Sequence, residues 1–186
     1  MVTAAERGRE MRGRLVRAAT ELIAERGWTA TTTRVVAERA GVAPSLVHYH
    51  FPSVQALLAE AALATARDLT AQVAPLLAGA RSAGAAVDLL FGALDAHSGT
   101  DPASVLLVEA YLAATRDDRL RQALAEVITE FRQELAGHFA AHRVPDPEAT
   151  AAVVAAAVDG VLLHRSMLGP ERGDTGAVLR RLVARR

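Results

Sequence analysis

The sequence predicts an all-α fold, a three-helix N-terminal unit followed by a helical bundle, with about nine helices in total. Three observations lead there. The chain is rich in Ala and Leu and only 4% aromatic, with few long β-branched runs, a composition that favours helix over strand. Apolar residues recur at three- and four-residue spacing between Gly, Asp-Pro and Ser signals that start and stop helices. No run alternates apolar and polar residues over the length of a strand, and no internal repeat occurs.

The first helix is expected over residues 10–26, where Leu15, Ala19, Leu22 and Ile23 share a face and Gly27 closes it. Thr32 or Thr33 caps a second helix with Val36 and Ala37 facing inward, because a hydroxyl accepts the first free backbone N–H groups. Gly41 stands just past that helix, where a left-handed backbone is cheap only without a Cβ. Val42 anchors the turn, and Pro44 brings a preset helical φ to the first turn of a third helix through Ser45, Leu46, His48 and Tyr49. Phe51-Pro52 ends it. Trp28, Val36, Val47 and Phe51 complete a small core, so one unit spans about residues 1–52 and the other 53–186.

In the second unit, long helices are expected over 53–77 and 117–142, and shorter ones over 84–97 and 101–115. Asp101-Pro102 and Asp146-Pro147-Glu148 are start signals, each pairing a capping carboxylate with a residue suited to the first turn. The second opens a helix that ends at Gly169-Pro170, and Asp174 caps a last short one.

Residues 31–57 carry the most functional information. Two short helices joined by a tight glycine turn have the spacing of the DNA-reading helix-turn-helix, whose second helix enters the major groove. Formal net charge is zero over the whole chain, but residues 1–55 hold eight Arg against five Glu. The excess lies beside the motif, with Arg7, Arg9, Arg12, Arg14 and Arg17 crowded into the first helix, where guanidinium groups can reach phosphates. The expected DNA-facing residues are Arg12, Arg14, Thr31, Thr32, Thr33, Arg34, Ala43, Pro44, Ser45, Leu46, His48, Tyr49 and His50.

Here the chain resembles a known family. Ala37, Ala40-Gly41-Val42, Pro44, Tyr49-His50-Phe51-Pro52 and Leu57 fall where TetR-type transcriptional regulators place their signature, preceded by Gly27, Trp28, Thr31 and Thr32. The resemblance is sharp over about residues 10–60 and architectural beyond. Val54 stands where the family often has a lysine that would touch a phosphate, Ala43 where a serine commonly caps the recognition helix, and His48 where a tyrosine is usual. The resemblance implies a repressor whose second domain binds an effector, moves the long helix begun by Ser53 and releases DNA.

The helix at 147–168 is apolar nearly all round. Val153, Ala157, Gly160, His164 and Met167 share one face, while Val154, Val158 and Leu162 lie opposite. Burial on two sides points to a symmetric homodimer, to which Val178, Leu179, Leu182 and Val183 of the last helix add; a fully buried helix of a monomer is the alternative. Twofold symmetry predicts a palindromic operator, with recognition helices roughly 34–36 Å apart.

A small apolar or amphipathic effector is the expected input, with Arg67, Phe91, Asp95, His97, Glu109, Tyr111, Phe131 and Asp159 as candidate contacts. Asp159 interrupts an Ala/Val run, and a buried carboxylate there must find donors, from a ligand or from an internal cation such as Arg67. Glu134, His138 and His142 at i, i+4, i+8 could sterically hold a divalent ion, but without further ligands they read as a solvated or interface face. His48 and His50 sit in the recognition helix and read as DNA contacts rather than ligands, so no metal and no cofactor is expected.

No cysteine occurs, which excludes a disulfide framework and a catalytic thiol, and no catalytic or phosphate-cradling motif is found. An enzyme has no residues to stand on. The charged N-terminus and an Ala/Val stretch far shorter than the roughly 20 residues of a membrane span point to a cytoplasmic protein, on the nucleoid when bound to DNA. Two other readings stand beside a ligand-responsive repressor: a dimeric DNA-binding protein without ligand input, and a small-molecule binder that has lost its DNA function.

Overall fold

The computed structural model describes residues 3–169 and 174–183, the Leu182 side chain excepted, and these residues are helical with no strand among them. The elements are α1 (Ala4–Arg26), α2 (Thr33–Ala40), α3 (Pro44–His50), α4 (Val54–Ala71), α5 (Val73–Gly79), α6 (Ala83–Leu94), α7 (Pro102–Ala114), α8 (Asp118–Ala141), α9 (Pro147–Leu168) and α10 (Thr175–Val183). These match the expected nine, if α4 and α5 are taken together. The long helix expected over 53–77 is interrupted at Gln72, whose backbone nevertheless stays in the helical region. Pro75 is the cause, since it has no N–H for the carbonyl four residues earlier, that of Ala71, and its ring crowds it.

Two further departures at element boundaries are α6, which stops at Leu94 rather than at 97, and α1, which begins at Ala4 rather than near residue 10. Thr3 accepts a hydrogen bond from the Glu6 backbone N–H, and the Glu6 carboxylate accepts one from Thr3 N, a reciprocal capping box. Elsewhere the start signals act as read. Thr32, Ser53, Asp101, Asp117 and Asp174 each accept a backbone N–H at the head of their helices. Asp146 does not: it adopts a left-handed backbone at φ 45°, and its side chain makes no cap, although α9 starts at Pro147 as expected. The Ala43 methyl leaves α3 without a side-chain cap.

Side chains bury into two apolar cores. One joins Leu15, Leu22 and Ile23 of α1 to Trp28, Val36, Val47 and Phe51, then runs on through Leu57 and Leu58 of α4 into Leu106 of α7 and Leu124 of α8. The second gathers Val87 and Leu90 of α6, Leu135 and Phe139 of α8, and Val154 and Val161 of α9 with Leu179 of α10. Burying side chains of this size stabilises by about 1.5–3 kcal/mol each, before the entropy of ordering them. At Gly99, with φ 82°, a Cβ would stand 2.4 Å from the Ser166 backbone N, so only glycine lets the loop after α6 lie against α9.

Candidate nucleic-acid interface and effector cavity

The α2–α3 turn is held by backbone. Gly41 takes φ 63° and ψ 42°, and the N–H groups of Gly41 and Val42 donate to Glu38 and Ala37 carbonyls, satisfying the end of α2. From that turn α3 presents two faces. Val47 faces the core, while Pro44, Ser45, His48 and Tyr49 are exposed, and Tyr49 is 81% exposed with its ring edge-on to His50 at 5.1 Å. A tyrosine so exposed beside two imidazoles is an unusual loss of apolar burial for a folded monomer, and one that a partner in contact with α3 would recover.

The other expected DNA-facing residues divide. Thr32 and Arg34 are exposed, Thr33, Leu46 and His50 are half-buried, and Ala43 is exposed at the head of α3. Thr31 is a correction: it is 2% exposed, and its hydroxyl donates to the Gly27 carbonyl at 2.9 Å, so it builds the loop behind α2. Arg14 donates to the Ala40 carbonyl at the end of α2. Arg12 does the most internal bonding. Its guanidinium donates to both Glu60 carboxylate oxygens and to the His50 carbonyl at 2.7 Å, and lies 4.2 Å from the Phe51 ring centroid. It thereby ties α1 to the end of α3 and to α4. Glu60, which no sequence signal singles out, is the partner.

Two further bonds join the same units. The Trp28 indole donates to Gln55 of α4 at 2.9 Å, and its backbone N–H donates to the Glu109 carboxylate of α7 at 3.0 Å. Glu109, expected at an effector, is therefore a strut beneath the α1–α2 loop.

A cavity of about 140 Å³ lies where the two cores meet, walled by α4, α5, α6, α7, α8 and α9. Of the eight candidate contacts, His97, Tyr111, Phe131 and Asp159 line it. The rest do not: Arg67 is exposed on α4, Phe91 is buried beside Gly176 in the second core, Asp95 pairs with Arg165 at 3.1 Å on the outside, and Glu109 meets Trp28. Thus Asp159 is not paired with Arg67. It accepts a hydrogen bond from the Tyr111 hydroxyl at 3.2 Å. Burial raises the Asp159 carboxyl above its usual range, with the Tyr111 hydrogen bond opposing, and burial together with the nearby carboxylate raises Tyr111.

At one end of the cavity His97, Asp101 and Ser104 form a closed set. The Ser104 hydroxyl donates to Asp101 at 2.7 Å, and the His97 ring lies 3.3 Å from the same carboxylate. Burial works against the charge, but the Ser104 and His97 hydrogen bonds hold Asp101 down at about 2. The lining from α4 and the start of α5, namely Ala66, Leu69, Thr70 and Val73, was readable as a stripe at helical spacing. Ser104 was not, because its role depends on the loop that brings His97 to it.

The face of α9 turned from the cavity carries Val153, 52% exposed, and Met167, 67% exposed, with His164 exposed and Ala157 and Gly160 half-buried between them. Val154 is buried opposite, and Val158 and Leu162 line the cavity. By length and composition alone α9 is long and apolar enough to cross a membrane. Val178 is exposed on α10, and the side chain of Leu182, also expected at an interface, lies outside the described residues. At the C-terminal end of α8 the His138 ring and that of the capping His142 lie 4.3 Å apart at 33°, and no three His, Asp or Glu among the described residues gather as a metal set.

Comparisons with known proteins agree with this arrangement. Residues 15–61 match the family of bacterial regulatory proteins of the tetR type, and residues 81–185 match the tetracyclin repressor-like C-terminal domain. An uncharacterized HTH-type transcriptional regulator of Mycobacterium tuberculosis is 29% identical, over 89% of this chain and 88% of its own. The crystal structure of a protein assigned as a transcriptional regulator in Streptomyces coelicolor A3(2) superposes with a TM-score of 0.77 at 28% identity, covering 94% of this chain and 96% of the other. The multidrug binding protein EbrR, solved with imidazole, superposes at 0.65 with 29% identity, over 94% and 88% of the two chains. Relatives of this kind are regulators and not enzymes. With both halves of the chain matched in order, and the helix-turn-helix exposed at one end, the protein belongs to the TetR family of DNA-binding transcriptional regulators.

Proposed function

We propose that the protein acts as a homodimeric repressor in the cytoplasm, binds a palindromic operator through residues 1–52, and is released by a small molecule bound within residues 53–186. The observation that carries the DNA part is the exposed face of α3, where Ser45, His48 and Tyr49 project from an otherwise closed core. Thr32, Arg34 and the exposed Arg7, Arg9 and Arg17 flank it as phosphate contacts. Dimerisation is supported by the apolar outer face of α9, which a second copy would cover along Val153, Ala157, Gly160 and Met167.

The cavity supports the input. A ligand there touches Ala66, Leu69 and Thr70 of α4, and the front of the same helix holds α1 and α3 through Glu60–Arg12 and Gln55–Trp28. Tilting α4 therefore moves the recognition helix. A ligand shifts this equilibrium only by its differential affinity for the two states. EbrR, complexed with imidazole, is a relative in which a small molecule is bound, which favours ligand input over a filled dimerisation module. The test is selection of bound sequences from random duplex DNA, with the mass of the complex measured in solution. A palindromic site occupied by two chains supports the proposal; no enriched site at moderate salt overturns it.

A further inference from the structure

The polar groups of the cavity are unevenly satisfied, and the imbalance identifies a ligand class. Thr70 donates to the Ala66 carbonyl of its own helix at 2.9 Å, and Ser104 and His97 both turn to Asp101. Asp159 is different. A carboxylate has about four acceptor sites, and the Tyr111 hydroxyl is the hydrogen-bond donor it meets among the described residues. Apolar side chains make up most of the wall around it, Leu69 of α4, Val73 of α5, Leu90 of α6, Val127 and Phe131 of α8, and the Gln72 amide between α4 and α5 donates to the Asp68 carbonyl at 3.3 Å. No Arg lines the cavity, the chain has no Lys, and the titratable lining groups are His97, Tyr111 and Asp159. Any charge on His97 is matched by Asp101.

Size narrows the class. About 140 Å³ is close to the roughly 150 Å³ of an engineered apolar cavity that takes benzene. Tyr111 and Asp159 also border a second cleft of about 330 Å³ between α7 and α9, alongside the exposed Leu112 and Leu163. The carboxylate therefore stands where the inner cavity meets the surface, with apolar space for one ring or a short chain on its inner side.

Building on the ligand-released reading above, we propose that the effector is a small organic cation, an amine on a single ring or short alkyl chain. Its ammonium pairs with Asp159 at the α7–α9 mouth, and its apolar body fills the space between α4 and α8. An ammonium supplies up to three donors and the missing positive charge, whereas an anion would meet a like charge. Because burial raises the free Asp159 carboxyl, pairing displaces a proton, and affinity for the amine falls as pH drops through the acid range.

Calorimetric titration of the full chain with 2-phenylethylamine, 2-phenylethanol, phenylacetate and benzene tests this directly. The wild type is expected to bind the amine about fivefold more tightly than the alcohol, as a partly exposed ion pair of ~1 kcal/mol would give, with phenylacetate weakest and proton release on amine binding in the acid range. Asp159→Asn is expected to bring amine and alcohol within about twofold of each other. Tyr111→Phe keeps the carboxylate and is expected to retain the amine preference; should Asp159→Asn fail to fold, this variant and the wild-type pH series carry the test. Alcohol or phenylacetate binding as tightly as the amine, or an amine advantage that survives Asp159→Asn, overturns the cation proposal while leaving the cavity a ligand site. If amine, alcohol and benzene all fail to bind, the ligand-released reading falls with it.

Discussion

Replacing Arg12 by Ala separates two roles that one residue of α1 could fill. If the guanidinium is an internal tie, the substitution removes the pair with Glu60, the hydrogen bond to the His50 carbonyl and the contact over Phe51. The Arg12 and Glu60 side chains are 42% and 37% exposed, so solvent screens the ion pair and it contributes ~0.5 kcal/mol. The carbonyl bond adds ~1 kcal/mol and the cation–π contact ~0.5 kcal/mol. The total is about 2 kcal/mol, or roughly 4–8 °C in melting temperature for a chain of this size. Thermal melting followed by circular dichroism reads it. A Glu60→Ala variant should reproduce part of the same loss, and the double variant should fall short of the sum by ~0.5 kcal/mol. A phosphate contact would behave differently, leaving the melting temperature in place and reducing the salt slope of operator binding by ~0.9. That second pattern would refute the internal tie.

Three other substitutions probe separate parts of the account. Tyr49→Ala should leave stability within ~0.5 kcal/mol, because the side chain is almost wholly exposed, yet weaken operator binding by about tenfold or more in an equilibrium shift assay. Asp101→Ala removes the α7 cap and a partner of the buried Ser104, and should cost about 1–2 kcal/mol at neutral pH. The folded carboxyl at about 2 lies below its ordinary 3.8, so this contribution is present above pH 3.8 and lost as pH falls through 2. The Asp101→Ala and wild-type stabilities should therefore converge in denaturant titrations run down that window. Val153→Glu puts a charge on the outer face of α9, and sedimentation should show a monomer whose helical content matches the wild type.

Local chemistry made most of the helices legible. Gly41, Pro44, Ser53 and Asp101 act through their own backbone neighbours, so their consequences can be read without knowing what packs on them. The start of α1 was written in Thr3 and Glu6, three residues apart, and the break at Gln72 in Pro75; both are local signals outweighed by a longer apolar periodicity. Thr31 shows the limit. Its hydroxyl is as suited to a phosphate as that of Thr32, and only the packing of the loop on α1 turns it inward to Gly27. The cavity is less legible still. Asp159 stood out as a polar interruption in α9, but its partner Tyr111 lies 48 positions away on α7, and the cation suggested for it, Arg67, points to solvent. Which polar residues converge is decided by helix packing across the chain.

The most direct test of the dimeric operator reading is to take the selected site and insert five base pairs between its halves. Two recognition helices fixed about one DNA turn apart would then face opposite sides of the duplex. Affinity should fall to the level of unrelated DNA, and a ten-base-pair insertion should recover little of it because the spacing is set by the α9 contact. Undiminished binding to the five-base-pair variant would contradict the account.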